Sequence, residues 1–289
     1  MTTALVTGGT KGIGFVTATK LAQRGMRVVI TGRTQSTCDE AAKKIAAEVP
    51  GATAIGMALD LSALDAVRTF AAGFEGPLDL LVNNAGNMSI DKRVTLTNDG
   101  VETTLATNVL GPFLLARLLL PKLRKAAPSR IVNVGSRAHL PKSGYGAEVH
   151  WDWENLKGEK SYEPMTVYKN SKLAVMWLTY ELDRRLAGSG VVVNAVCPGF
   201  VPETLAEHAK GVRYFLFKHV MTHMPGAHTV QEAADNTVFA ATDPAYEKKG
   251  GAFIGEQREV AASDEARDRA QAKRFWELAC ALTRLPEDL

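Results

Sequence analysis

Tyr168 and Lys172 stand four residues apart in Tyr168-Lys169-Asn170-Ser171-Lys172, inside a stretch with helical patterning. On a helix that spacing puts both side chains on one face, so an ammonium can sit beneath a phenol. A phenol with a pKa of about 10 is a poor proton donor or acceptor at neutral pH. Bringing it to about 7 means favouring the anion by about 4 kcal/mol, which one cation about 4 Å away supplies at intermediate dielectric. Alone the pair is weak evidence, because six tyrosines among many lysines produce such spacings by composition. Its meaning depends on whether the rest of the chain supplies a substrate and a cofactor.

A second chemical signal lies near the N-terminus. Thr7-Gly8-Gly9-Thr10-Lys11-Gly12-Ile13-Gly14 directly follows the apolar run Ala4-Leu5-Val6 and opens a helical stretch. Glycines there let the backbone turn sharply and approach a pyrophosphate, which rests on the positive end of the helix. The strand before and helix after argue against a mere tight connection. Gly8, Thr10, Lys11, Gly12, Ile13 and Gly14 are the candidate contacts. At the end of the second strand, where an NAD enzyme would place an acidic residue on the ribose diol, the chain has Gly32-Arg33. Arg33 can fork onto a 2′-phosphate and Lys11 adds a second cation, so NADP(H) is expected over NAD(H). The competing reading is that both are solvated surface charges.

These groups need a scaffold, and the periodicity supplies one. Strand candidates are Ala4–Thr7, Arg27–Thr31, Ala54–Met57, Leu78–Val82, Arg130–Val134 and Val191–Val196, with a weaker one near Ala252–Ile254. Helical stretches between and after them include Gly12–Arg24, Ser36–Ala47, Ala63–Ala72, Val101–Lys125 and Thr166–Ala187. Sustained alternation predicts an α/β fold, a doubly wound parallel sheet of Rossmann type, in a single domain over 1–289. Three segments exceed the alternation: an insertion at about 138–165, a substrate-loop region at about 200–228, and a helical extension at about 264–285. The first carries Tyr145, Trp151, Trp153 and Tyr162, its two tryptophans as substrate walls or as anchors for the insertion. The second carries Tyr214-Phe215-Leu216-Phe217 with Met221 and Met224, as an apolar lid or ordinary packing. The third, with Phe275, Trp276 and Leu278, would cover the site rim or a neighbouring subunit.

Composition narrows the partners. The 289 residues are 46% hydrophobic and 22% charged, with a net charge of +3 and no basic block. Nucleic acid and an anionic membrane are therefore poor expectations. Three widely spaced cysteines, Cys38, Cys197 and Cys280, fit a reduced cytoplasmic protein and show no metal spacing. The N-terminus reads at once as a strand, without room for a signal peptide, and no apolar run is expected to approach a membrane span of about 18 residues. His219 and His223 stand four apart without a third ligand, so no metal is expected.

The loop Thr7–Gly14, Asn83-Asn84-Ala85-Gly86, the Tyr168/Lys172 pair and Pro198-Gly199 run in an order that resembles the short-chain dehydrogenase/reductase family, over roughly residues 3–260. Thr31-Gly32-Arg33, Arg130–Val134, Ser161-Tyr162 and the long gap from Ser136 to Tyr168 resemble its retinol dehydrogenase-like and WW-domain oxidoreductase-like members. The resemblance implies a catalytic set of Asn108, Ser136, Tyr168 and Lys172. Asn108 would hold a relay water, Ser136 would bond the carbonyl oxygen, and Tyr168 would move the proton. Lys172 would lower the tyrosine's pKa and, like Tyr168, border the nicotinamide ribose. It further implies cofactor contacts from Asp60 and Leu61 around the adenine, Asn83, Ala85 and Gly86 beside the adenosine ribose, and Pro198, Gly199 and Val201 at the nicotinamide. Thr204 sits one position beyond its usual place after Pro198-Gly199, and Gly135 replaces a usual serine. The expected activity is NADPH-dependent reduction of a ketone or aldehyde on an apolar substrate, or the reverse alcohol oxidation. Double-bond reduction and a non-catalytic NADPH-binding scaffold are the alternatives, in a monomer or homodimer.

Overall fold

The computed structural model describes residues 1–89, 91–141, 149, 151–206, 211–224 and 226–289. Tyr145 lies outside them. Among the described residues, one sheet joins eight strands: β1 (Thr3–Val6), β2 (Arg27–Gly32), β3 (Ala54–Ala58), β4 (Leu80–Asn83), β5 (Ser129–Val134), β6 (Val191–Cys197), β7 (Phe253–Gly255) and β8 (Arg258–Glu259). Their order is β3-β2-β1-β4-β5-β6-β7-β8. Neighbours are parallel until the last pair, β7 with β8, which is antiparallel. The chain starts mid-sheet, winds outward to β3, then crosses to β4 and winds the other way. That reversal opens a crevice beyond the carboxyl ends of β1 and β4, where such sheets take ligands.

The helices are α1 (Gly12–Gln23), α2 (Gln35–Glu48), α3 (Leu64–Gly73), α4 (Thr103–Leu105), α5 (Gly111–Lys125), α6 (Pro164–Arg185), α7 (Pro202–Ala206), α8 (Val212–Phe215), α9 (Val230–Thr242), α10 (Asp264–Arg267) and α11 (Arg269–Leu282). Strand pleating divides the apolar residues between two cores. Leu5, Leu81 and Ile131 join a core with α3, α5, α6 and α11. Ala4, Val6, Val82 and Val132 face α1, α2 and α9 instead. The strands are apolar on both faces for that reason. Ala106–Leu110 forms a π-helical turn that joins α4 to α5. The continuous run Thr103–Lys125 is long and apolar enough to cross a membrane, contrary to the sequence expectation, and 83% of its most apolar stretch is buried within the protein.

The last helical stretch is broken. Ser263 caps α10 through Ala266 N–H, and Asp268 caps α11 through the N–H groups of Ala270 and Gln271. The extension lies on its own chain: Phe275 and Trp276 are fully buried. Trp151 and Trp153 of the insertion meet Trp177 of α6 and Phe275 of α11, with Trp151 ring centroids 5.2 and 5.0 Å from the two. Trp177 is nine residues beyond Tyr168, two and a half turns at about 3.6 residues per turn, hence on the opposite face of α6. The two tryptophans therefore anchor the insertion on the face of α6 that carries Trp177.

Candidate active site

The phosphate loop is built for close backbone approach. Gly8 and Gly12 have φ of +63° and +55°, in the left-handed region that favours glycine. A Cβ on Gly14 would run into the Gly8 carbonyl and the Asn84 amide. Lys11 stands at the N-cap of α1, and its side chain makes no capping hydrogen bond, so the first-turn N–H groups stay available to an anion. Two residues credited by the sequence only to their motifs hold the loop. Thr7 Oγ1 accepts from the N–H groups of Asn84 and Ala85, each at 3.0 Å. Asn84 Nδ2 donates to Thr7 O at 2.9 Å and Gly8 O at 3.3 Å. The loop after β1 and the segment after β4 thus form one rigid cradle at the switch point. Nothing in a short-range motif reveals a bond between residues 77 positions apart.

Arg33 follows β2 and is exposed, with the hydroxyls of Thr34, Ser36 and Thr37 clustered beside it at the start of α2. Asp60 lies in the turn after β3, where Oδ1 accepts from Ser62 N–H at 2.9 Å and Ser62 Oγ at 2.7 Å. Leu61 is buried, and its carbonyl lies against Gly111, where a Cβ could not fit. The Asn83 side chain turns inward: Nδ2 donates to Asn133 Oδ1 at 2.8 Å, and Asn133 donates on to Thr179 Oγ1 at 2.9 Å. It ties β4 to β5 and α6, while Asn83 Oδ1 is buried without a partner. Gly199, at φ +92°, lies against the His228 ring, and Phe200 O accepts from His228 N–H at 2.7 Å. That bond closes the base of the loop beginning at Phe200. Val201 is buried, and Thr204 Oγ1 donates back to Val201 O at 2.8 Å.

Helix α6 positions the Tyr–Lys pair. Glu163 caps its N-terminus and Pro164 occupies the first turn, where a missing N–H is harmless. Lys172 Nζ sits 5.7 Å from the Tyr168 ring centroid and donates to Val134 O at the end of β5, at 2.9 Å. Burial lowers the Lys172 pKa from 10.5 to about 8. A Cβ on Gly86 would have Asn108 Oδ1 and Lys172 Nζ as its neighbours, at 3.7 and 3.9 Å. Asn108, in the π-helical turn, accepts from Asn87 N–H at 2.6 Å and donates to Asn87 O at 2.8 Å and Ser171 Oγ at 3.0 Å. Ser171 Oγ donates to the Tyr168 carbonyl at 2.6 Å. Ser171 stands outside the catalytic set that the sequence implies, although its place between Tyr168 and Lys172 marks it. Two residues past the Val134 carbonyl that holds Lys172, Ser136 leaves β5 with extended backbone, and its Oγ accepts from Ala138 N–H at 3.0 Å.

Two features flank these groups. A cavity of about 260 Å³ lies between the insertion and α6, lined by Glu102, Trp151, Tyr162, Val167 and Ser171 among others, but not by Tyr168 or Ser136. Tyr162 donates to Glu102 Oε1 there, at 3.1 Å. Tyr214, Phe215, Leu216, Val220 and Met224 are exposed, between 39% and 60% of their surface, whereas Phe217 and Met221 are half-buried.

The short chain dehydrogenase model matches residues 2–147 and 155–211. Human retinol dehydrogenase 11 is 38% identical over 289 residues, covering 98% of this chain and 86% of that protein. Among solved structures, an uncharacterised protein from Mycobacterium paratuberculosis has TM-score 0.79 and 32% identity, covering 100% of this chain and 96% of the other. The Pseudomonas aeruginosa RhlG/NADP active-site complex has TM-score 0.69 and 26% identity, covering 88% of this chain and 94% of the other.

Proposed function

The chain belongs to the short-chain dehydrogenase family, and on that premise we propose an NADPH-dependent reductase of apolar ketones or aldehydes, able to run the alcohol oxidation in reverse. The observation that carries the reading is the buried Lys172 ammonium, 5.7 Å from the Tyr168 ring and tethered to Val134 O. An ammonium so held favours the phenolate, so Tyr168 can give up its proton to a substrate oxygen.

Gly8, Gly12 and Gly14 would admit the dinucleotide's pyrophosphate to the N-terminus of α1, with Arg33 and the hydroxyls at the start of α2 around a 2′-phosphate. The bound nicotinamide supplies or accepts the hydride. Ser136 Oγ accepts an N–H from Ala138, which leaves its own hydrogen to serve as the donor to the substrate oxygen. The Asn108 amide is committed to Asn87 and Ser171, which ties it to the backbone of Tyr168 beside the pair. The exposed apolar segment from Tyr214 to Met224 suits a lid over an apolar substrate. The name of retinol dehydrogenase 11 and the NADP of the RhlG complex support the same reading.

The test is a panel of apolar carbonyl compounds followed by NADPH oxidation, with Tyr168→Phe alongside. The variant should bind NADPH like the parent while turnover falls by about three orders of magnitude, within the usual range for a lost acid/base. Undiminished turnover in Tyr168→Phe would sink the mechanism.

A further inference from the structure

His139 lies one turn beyond Ser136 and is fully buried, yet the chemistry above makes no use of it. Its Nδ1 is 2.5 Å from the Ser136 carbonyl, and its Nε2 is 3.4 Å from the Ser263 backbone nitrogen. A carbonyl only accepts and a backbone N–H only donates. Both contacts are satisfied by one species alone, the neutral imidazole carrying its proton on Nδ1. The ring is held edge-on to Phe253 of β7, with centroids 5.1 Å apart. Ser263 in turn caps α10, whose Glu265 carbonyl accepts from Trp177 Nε1 of α6 at 2.7 Å. A continuous chain of bonds therefore runs from the backbone of Ser136 through His139 to the C-terminal extension and back to the helix that carries Tyr168.

We infer that His139 is a positioning residue for the Ser136 hydroxyl, locked as the Nδ1–H tautomer between the Ser136 carbonyl and the Ser263 amide. This rests on the proposed role of Ser136. Burial acts in the same direction by lowering the imidazole's pKa, against a smaller opposing effect of the Ser136 bond and the Glu265 charge. The extension beyond Ser263 then belongs to the machinery that fixes the serine.

Nitrogen-15 spectra of the intact wild-type protein read the tautomer directly. The expected signature for His139 is a protonated Nδ1 and an unprotonated Nε2 at pH 7; an Nε2–H tautomer or an imidazolium overturns the inference. Two variants then separate positioning from packing. His139→Asn keeps an amide donor near the Nδ1 position, whereas His139→Leu removes it, and both lose the ring contact with Phe253. Turnover should fall about 10- to 100-fold in His139→Leu but within about threefold in His139→Asn, with similar melting temperatures and unchanged NADPH affinity. An equal loss in both, or none in His139→Leu while Ser136→Ala is impaired, overturns the positioning role. Full turnover in Ser136→Ala overturns the reading of the serine itself, and His139 with it.

Discussion

Replacing Lys172 by Met should make the cofactor-free protein more stable at neutral pH while destroying its activity. Lys172 is 6% exposed and its pKa lies at about 8 instead of 10.5. Below pH 8 the folded state therefore carries a buried ammonium at a cost of about 3 kcal/mol, at about 1.4 kcal/mol per pH unit. Between about pH 8 and 10.5 the unfolded chain binds more protons at this site than the folded one. Stability contributed through Lys172 consequently rises with pH across that window. Met keeps most of the side-chain volume but leaves Val134 O without its donor, which costs about 1–2 kcal/mol. The net gain of Lys172→Met at pH 7 is then about 1–2 kcal/mol.

The decisive quantity is how that difference changes with pH, because lost packing and a lost carbonyl partner are not linked to protons. From pH 7 to 9.5 the advantage of Lys172→Met over the parent should shrink by about 2 kcal/mol. For a chain of this size that is about 4 °C in Tm. Urea and thermal unfolding of both proteins without cofactor, at the two pH values, measure it. A difference that stays constant with pH refutes the reasoning, because the buried ammonium would then not be the source of the cost. Turnover of the variant should be lost at both pH values, which makes the lysine a site where stability is given up for function.

Arg33→Asp should lower kcat/KM with NADPH by about 100-fold, the worth of a charge-assisted bond of about 2–3 kcal/mol, while NADH turnover changes little; equal losses with both would exclude a 2′-phosphate contact. Removing residues 286–289 strips Arg117 of the Pro286 and Asp288 carbonyls and Arg185 of that of Glu287. Arg117 keeps the Cys280 sulfur and the Phe113 and Trp276 rings but loses two charge-assisted hydrogen bonds, and Trp276 Nε1 loses the Glu287 carbonyl, so the truncated chain should lose about 3 kcal/mol or about 6 °C in Tm; an unchanged melting curve would show the tail to be dispensable. Phe215→Ser combined with Leu216→Ser should raise KM for the best apolar substrate about tenfold with Tm unaltered, since both side chains are exposed. An unchanged KM removes the segment from the substrate site.

The sheet was readable in the sequence because its strands are short apolar runs between patterned helices, and both faces of a parallel sheet are covered. β8 was not, because two exposed charged residues, Arg258 and Glu259, carry no apolar signal. The break between α10 and α11 is written in capping residues, Ser263 and Asp268, that an amphipathic pattern running through them conceals. Trp151 and Trp153 read as possible substrate walls because aromatic content says nothing about direction. The nine-residue offset between Tyr168 and Trp177 fixes the opposite faces of α6, but only once the tryptophans are known to meet Trp177. Asn83 shows the reverse case. Its motif implies a ligand contact, while its side chain serves β5 and α6 through Asn133, a partner 50 positions away.

The same burial that makes Lys172 costly is what makes it useful. A cation in water is screened, and its influence on a phenol several ångströms away is small; removed from water, its field reaches the ring at much lower effective dielectric. An unsupported buried lysine would escape by swinging its long stem into solvent or by losing its proton. Val134 O takes one of its three N–H groups at the carboxyl end of β5. The Asn108–Ser171 network fixes the backbone of Tyr168, so the helix turn between phenol and ammonium cannot slide. What remains is the proton itself, held with a pKa of about 8 and so still mostly bound at neutral pH. Further burial would discharge the lysine, and less would screen it. The depth of α6 against β5 is therefore set between two electrostatic failures, and packing substitutions beneath Lys172 should alter turnover through the burial of its ammonium before they alter the fold.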